Sequence, residues 1–307
     1  MLNGLSTAWS WNPISLLLIL GVCLLYFMGQ RDLKRRDPTS KLPERRQLIW
    51  FSLAIFCMAV VMLTPIDTIA RTQMFLVHMA QLVLISTLAV PFLLLGSPHE
   101  MVTPLLEKPG LKQIIVSLTN PIVASIIFNL TFLAWHLPWL FSLTQQYQWL
   151  YQIELLTIFL ASLINWWPLV GPVEDVRGLS YPIKMLYAFL DGLPLEIFAF
   201  ILVYSGVVLF PLYHVPPILS INPYGDQTAG GALLMIPGLI DLIVMTPLFF
   251  RWIAQIDKQA LIDDERRANE AAAREAEEGP ALGYVYVDED ESEDAEVHGV
   301  GKGIATD

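Results

Sequence analysis

The chain has 307 residues, a formal net charge of −11, 55% hydrophobic residues and a mean hydropathy of +0.54. This composition is too apolar for a typical soluble domain of the same length, so an integral membrane protein is predicted. The acidity belongs to the C-terminal part, because residues 1–256 contain as many basic as acidic side chains and residues 257–307 carry the whole excess.

Seven apolar stretches are long enough to cross a bilayer, whose core of about 30 Å requires about 20 helical residues. They are residues 10–28, 48–64, 73–95, 114–137, 150–170, 185–210 and 232–253. The predicted fold class is therefore an all-α polytopic membrane bundle of seven transmembrane helices within residues 1–256.

A basic segment between the first two stretches, QRDLKRRDPTSKLPERRQ, predicts the orientation of the bundle. By the positive-inside rule this short loop is cytoplasmic, so the N-terminus is expected outside and the C-terminus in the cytoplasm. The later loops agree, because Lys108, Arg177 and Lys184 fall in connections predicted to be cytoplasmic.

Residues 257–307 are predicted to form an acidic cytoplasmic tail. Its first part, LIDDERRANEAAAREAEE, is rich in alanine with opposite charges three or four residues apart, which indicates a solvated helix. The later run VDEDESEDAE is too charged to fold alone and predicts disorder. Whether a partner docks on this tail is left open.

The third stretch carries polar groups that are costly inside a bilayer. Met74, His78 and Gln81 recur at i, i+4 and i+7, so on a continuous helix they share one face. A neutral His78 bonded to a neighbouring helix is one explanation. The alternatives are a Cu(I) site, which imidazole and thioether donors suit, and a proton or redox site.

Further polar residues are predicted at a similar depth on the outer side. His136 lies near the outer end of the fourth stretch and Glu154 near that of the fifth, while Asp226 and Gln227 lie just ahead of the seventh. Together with His78 they predict an outward-facing pocket. Taken singly, His136 is equally explained as an interfacial anchor and Asp226 as part of a turn.

A second polar set lies deeper in the predicted bundle. Asp191 and Glu196 fall in the sixth stretch, Asp241 falls in the seventh, and Asn165 lies near the inner end of the fifth. Such groups either relay protons or join helices by hydrogen bonds.

Several protein classes lack their motifs here. The sequence contains no P-loop, HExxH, GxSxG or CxxCH run, and no lysine lies within the last stretch. An ATPase, a zinc protease of the HExxH type, an α/β-hydrolase and a retinal protein are therefore unsupported. Because nothing assembles an activated nucleophile with a general acid and base, the chain is not predicted to be an enzyme.

A series of motifs resembles the CtaG-type cytochrome c oxidase assembly factors. The motifs are HMAQ followed by PFLLLGSP, then AWHLPWLF, the Glu154 stretch running to NWWPLVGP, and PLYHVPP leading to YGDQTAGGALLMIPG. They cover residues 74–238 in the family's order.

This resemblance implies a bacterial cytoplasmic-membrane protein of seven spans that helps haem-copper oxidases to mature, handling copper for them. Its expected partners are membrane lipids and oxidase subunits, with no nucleic acid. The family pattern usually places histidines where this chain has Leu82 and Leu155.

The predicted cofactor is copper as Cu(I), and its predicted ligands are His78, His136, Met74 and Met79. The predicted supporting polar residues are Gln81, Glu154, Asp226 and Gln227. Two alternatives are an accessory subunit of a respiratory membrane complex without metal, and a transporter of protons or small molecules that uses Asp191, Glu196 and Asp241.

Overall fold

The computed structural model of the chain describes residues 6–40, 43–172 and 179–278. These residues contain helices and no strand. The helices are α1 (Pro13–Arg36), α2 (Arg45–Leu63), α3 (Pro65–Thr72), α4 (Phe75–Val83), a π-helical segment (Leu84–Ala89), α5 (Val90–Gly96), α6 (His99–Leu106), α7 (Pro109–Leu118), α8 (Pro121–Trp135), α9 (Pro138–Gln146), α10 (Gln148–Val170), α11 (Tyr181–Tyr204), a 3₁₀ turn (Pro217–Leu219), α12 (Pro223–Leu234) and α13 (Ile236–Glu278).

Six helical segments in the described part are long and apolar enough to cross a membrane. They are α1, α2, Phe75–Gly96, α10, α11 and Pro223–Glu277, and α7 with α8 makes a seventh if this bent pair counts as one span. The prediction of an all-helical membrane protein is confirmed. The side of the membrane on which each terminus lies stays a prediction.

The fourth predicted span is not one straight helix. α7 and α8 meet at an angle of 67°. The side chain of Asn120 accepts a hydrogen bond from the backbone N–H of Ile122 at 3.0 Å, and Pro121 occupies the first position of α8. A capping asparagine followed by proline starts a new helix, which explains the bend.

The seventh predicted span starts earlier than its apolar stretch. α12 begins at Pro223, and the Asn222 side chain caps it by accepting from the backbone N–H of Gly225 at 2.6 Å. Asp226 and Gln227 therefore lie in the first turns of a helix rather than in a loop ahead of one. The small residues of TAGG have low hydropathy, so the apolar pattern alone did not predict the start of this helix.

The helical segment Phe75–Gly96 forms the centre of the bundle. In its most apolar 18-residue stretch 72% of the residues are buried, compared with 17% in the corresponding stretch of α1. It packs against α2, α3, α10 and α12. Its middle widens into the π-helical segment, and Pro91 follows two residues after the end of that segment. Because proline has no N–H and its ring clashes with the carbonyl four residues earlier, a wider turn accommodates it.

The chain divides into two units, Met1–Ala254 and Gln255–Asp307. In the second unit the described residues are helical, and Arg266 lies 3.3 Å from Asp263 and 3.8 Å from Glu270. The acidic run at 287–296 and Arg177 lie outside the described residues.

Candidate metal centre

Three buried side chains from three helices converge inside the first unit. His78 lies in the first turn of α4, His136 directly follows α8, and Glu154 lies in the second turn of α10. One possible ligand atom from each lies within 4.8 Å of the other two. The residues are 0%, 3% and 0% exposed. The two imidazole centroids are 5.7 Å apart, so the structure brings both histidines together.

The local sequence explains why His136 lies where it does. Leu137 precedes Pro138 and is extended, with φ −64° and ψ 129°, as expected for a residue before proline. α8 therefore ends at Trp135 and α9 begins at Pro138. His136 occupies the cap position between these helices, which turns its ring into the bundle.

A backbone hydrogen bond sets the proton position on His136. Its Nδ1 lies 2.7 Å from the carbonyl oxygen of Phe132. Because a carbonyl can only accept, Nδ1 carries the hydrogen, and Nε2 retains its lone pair. Nε2 is buried and has no hydrogen-bond partner among the described residues. Histidines that bind metals are commonly held in this way.

The side chains of the other two members of the cluster make no hydrogen bond to a described residue. Both ring nitrogens of His78 and both carboxylate oxygens of Glu154 are buried without a hydrogen-bond partner in the described part. His78 Nε2 lies 3.3 Å from Glu154 Oε1, which is close enough for an ion pair, but the two groups are not aligned for a hydrogen bond. Leaving such groups unpaired is costly, and a cation bound between them would satisfy them together.

Aromatic rings enclose the cluster. The Phe141 ring lies 5.2 Å from that of His78 and 5.5 Å from that of His136, and the Phe132 ring stacks on His136 at 4.4 Å. Tyr151 lies 5.7 Å from His78 on another side. These rings keep the surroundings of the three donors apolar, which strengthens electrostatic interactions among them.

Met74 caps α4, and its carbonyl accepts a hydrogen bond from the backbone N–H of His78 at 3.2 Å, whereas a role for its sulfur stays a prediction. Its backbone is extended, with φ −141° and ψ 123°, and α4 begins only at Phe75. Met79 is fully buried and packs against Gly230 of α12. Leu82 and Leu155, the leucines noted in the sequence analysis, are fully buried in the core.

Gln81 belongs to a neighbouring polar network. Its Nε2 donates to the carbonyl of Val61 at 2.6 Å and to Asp67 Oδ1 at 3.3 Å, and its Oε1 accepts from the Tyr151 hydroxyl. Asp67 also accepts from the Ser10 hydroxyl at 2.6 Å. The side chain of Gln81 therefore points to α2 and α3, and it supports the cluster through Tyr151.

Asp67 is a buried carboxylate that the sequence analysis did not identify. Burial raises its pKa, while hydrogen bonds from Ser10, Gln81 and Gln152 and the charge of Arg71 lower it. The signal was weak, because Asp67 lies between two apolar stretches and its partners come from distant parts of the chain.

Asp226 and Gln227 hold backbone rather than joining the three donors. Asp226 accepts hydrogen bonds from the backbone N–H groups of Phe75 at 2.6 Å and Leu76 at 3.2 Å, so it caps α4. Gln227 accepts from the backbone N–H of Leu209 at 2.6 Å and donates to the carbonyl of Leu202 at 3.2 Å. Both residues fix elements around the cluster.

The second predicted polar set lies elsewhere in the bundle. Asp191 accepts from Asn165 at 2.6 Å and from Asn129 at 3.0 Å, which joins α8, α10 and α11. Asp191, Glu196 and Asp241 line one cavity, and Phe132 lines it as well. The structure thus gives Asp191 a role in helix association and separates this set from the histidines.

Comparison with known families decides which protein class this geometry belongs to. The family model of the cytochrome c oxidase caa3 assembly factor (Caa3_CtaG) matches residues 24–255. The chain belongs to this family. The match covers more than half of the chain and contains His78, His136 and Glu154, and the resemblance inferred from the sequence motifs is confirmed. No curated protein and no solved structure matches this Caa3_CtaG chain.

Proposed function

We propose that this caa3 assembly factor carries copper for a haem-copper oxidase at the site formed by His78, His136 and Glu154. Copper is the cargo in this proposal. The observation that carries it is the convergence, from three helices, of buried donor atoms without hydrogen-bond partners in the described residues.

The donor set fits copper. Imidazole is a common copper ligand, and His136 presents Nε2 with a free lone pair because its Nδ1 hydrogen is held by Phe132. Glu154 supplies a negative charge that balances a bound cation. Two local features fix the histidines. Pro138 starts α9 next to the cap position of His136, and Asp226 caps the helix α4 that carries His78.

The family and the apolar helices support a proposed cellular setting. The protein acts in the bacterial cytoplasmic membrane, with the site on the outer side and oxidase subunits as recipients. Its role is non-catalytic, because delivering a metal ion needs binding and release but no bond-making residue.

A deletion strain complemented with full-length variants tests this function. His78→Ala and His136→Ala should each lower the copper content per haem of the purified oxidase. His99→Ala is the matched control, because His99 is an exposed histidine on α6, and it should behave as wild type. Immunoblots of the membranes would verify equal amounts of assembly factor.

Metal analysis of the purified protein provides an independent measurement. The wild type should retain about one copper per chain after loading and dialysis, and each of the two alanine variants should retain much less. Unchanged copper in the oxidase and in both variants would overturn the proposal.

A further inference from the structure

We propose that the site is built for a divalent ion, so that the assembly factor holds copper as Cu²⁺ with Glu154 as a direct ligand. This inference rests on the proposed function and names the chemical state of its cargo. It departs from the Cu(I) expected from the sequence.

The kinds of donor atom favour the divalent ion. Soft sulfur ligands select Cu⁺, whereas imidazole with carboxylate oxygen suits borderline and hard divalent ions. The cluster offers two imidazoles and one carboxylate, and neither Cys23 nor Cys57 joins it. Two imidazoles with one glutamate are also a known zinc ligand set that leaves a fourth position open.

The two expected thioether donors are not part of the convergence that carries this inference. Met74 precedes α4 with an extended backbone, and Met79 packs against Gly230. The convergence is formed by two imidazoles and one carboxylate, and a role for either sulfur stays a prediction.

The buried carboxylate of Glu154 favours an ion that uses three ligands rather than the two imidazoles alone. Its side chain is fully buried, and neither of its oxygens has a hydrogen-bond partner among the described residues. An ionised carboxylate in such surroundings is costly unless a cation compensates it. Cu⁺ can bind to two imidazoles without a third ligand, whereas Cu²⁺ and Zn²⁺ take three or more donors.

The spacing is compatible with one shared ion. Metal–ligand bonds of about 2.0–2.2 Å place ligand atoms no more than about 4.4 Å apart. In a tetrahedral site such bonds place ligand atoms about 3.4 Å apart. His78 Nε2 and Glu154 Oε1 are already 3.3 Å apart, and the donors that now lie within 4.8 Å of one another would close around the ion. Three protein ligands leave an open position at which a recipient can add a donor before the ion leaves.

Glu154→Gln in the purified full-length protein is the central test, because the amide keeps the shape of the side chain and removes its charge. We expect Cu²⁺ and Zn²⁺ affinity to fall by about 100-fold or more, since even outer-sphere substitutions cost 10–100-fold. Cu⁺ affinity, measured with a reductant and a competing chelator, should change by only a few fold. Glu196→Gln is the matched control for a glutamate outside the site.

Spectroscopy and a reversed variant complete the test. Cu²⁺ bound to wild type should give an electron paramagnetic resonance signal with coupling to two nitrogens, and His136→Ala should remove one of them. Glu154→Met, which replaces a hard donor by a soft one, should shift the preference towards Cu⁺. Melting curves would show that each variant is folded.

The outcomes separate this inference from the proposed function. Failure to bind copper in either state overturns both. Binding of Cu⁺ that requires His78 and His136, together with Cu²⁺ affinity unchanged by Glu154→Gln, overturns the divalent site alone.

Discussion

The carboxylate of Asp226 on α12 accepts a hydrogen bond of 2.6 Å from the backbone N–H of Phe75, the first residue of α4. This contact joins residues 151 positions apart and fixes the turn that carries His78. The first N–H groups of a helix have no partner within it, so Asp226 stabilises α4 as a hydrogen-bond acceptor for two of them.

Asp226→Ala is expected to destabilise the protein by about 1–2 kcal/mol, the usual cost of losing an N-terminal cap. Copper affinity should fall as well, because the turn carrying His78 loses its anchor. Thermal unfolding and copper titration measure the two effects. Thr228→Val on the same helix is the control, since the Thr228 hydroxyl has no hydrogen-bond partner among the described residues. An unchanged melting temperature in Asp226→Ala would contradict the capping role.

Gly230→Ala should disturb the first turn of α4. A Cβ atom at Gly230 would lie 2.6 Å from the Phe75 ring, whereas one at Gly21 would meet nothing within 4 Å. Overpacking of this kind costs about 1–3 kcal/mol. We expect a lower melting temperature for Gly230→Ala and none of this loss for Gly21→Ala. Equal behaviour of the two variants would show that α12 and α4 separate easily.

Leu82→His places an imidazole one turn along α4 from His78, at a position where the sequence resemblance led us to expect histidine. Without metal the variant should be less stable than wild type, because a polar group replaces a fully buried leucine. Added Cu²⁺ should raise its melting temperature by more than it raises that of wild type, since an extra ligand tightens binding to the folded state. Leu82→Asn should show the same loss of stability, and Cu²⁺ should not restore its melting temperature beyond the effect seen in wild type.

Asp67 gives the protein a pH-dependent stability. Burial raises its pKa above the ordinary value of 3.8, so the folded protein keeps this proton to a higher pH than the unfolded chain does. The resulting stabilisation is full below the ordinary value and is lost as the pH rises through the higher pKa of the folded state. We expect Asp67→Asn to gain melting temperature relative to wild type as the pH rises above that range. A difference that does not depend on pH would contradict this origin.

The helical bundle and the proximity of the three donors could be predicted from the sequence, because hydropathy locates the spans and helical rise gives the position of each residue along its span. His78 and His136 were placed at one level in this way. The bend before α8 was also readable from Asn120 and Pro121, although the apolar stretch continues through them.

The partners of the polar residues could not be predicted in the same way. Gln81 was assigned to the face of His78, yet its amide bonds Val61 and Asp67, because pairing depends on how α2 and α3 pack against α4. Asp226 illustrates the same limit, since its backbone acceptors lie on another helix. Spacing along one helix predicts a shared face but not which neighbouring element meets it.

Phe141 has a consequence for the speed of metal exchange. Its ring contacts both imidazoles, it belongs to the nine-residue helix α9, and the Gln145 carbonyl of that helix accepts from Arg71 at 3.0 Å. Under the proposed function, an ion bound among donors that are at most 3% exposed would reach solvent only when the surrounding side chains move, and Phe141 of α9 is one of them. The residence time of that ion would then depend on the motion of α9 as well as on ligand strength, so a recipient that displaces α9 would speed release.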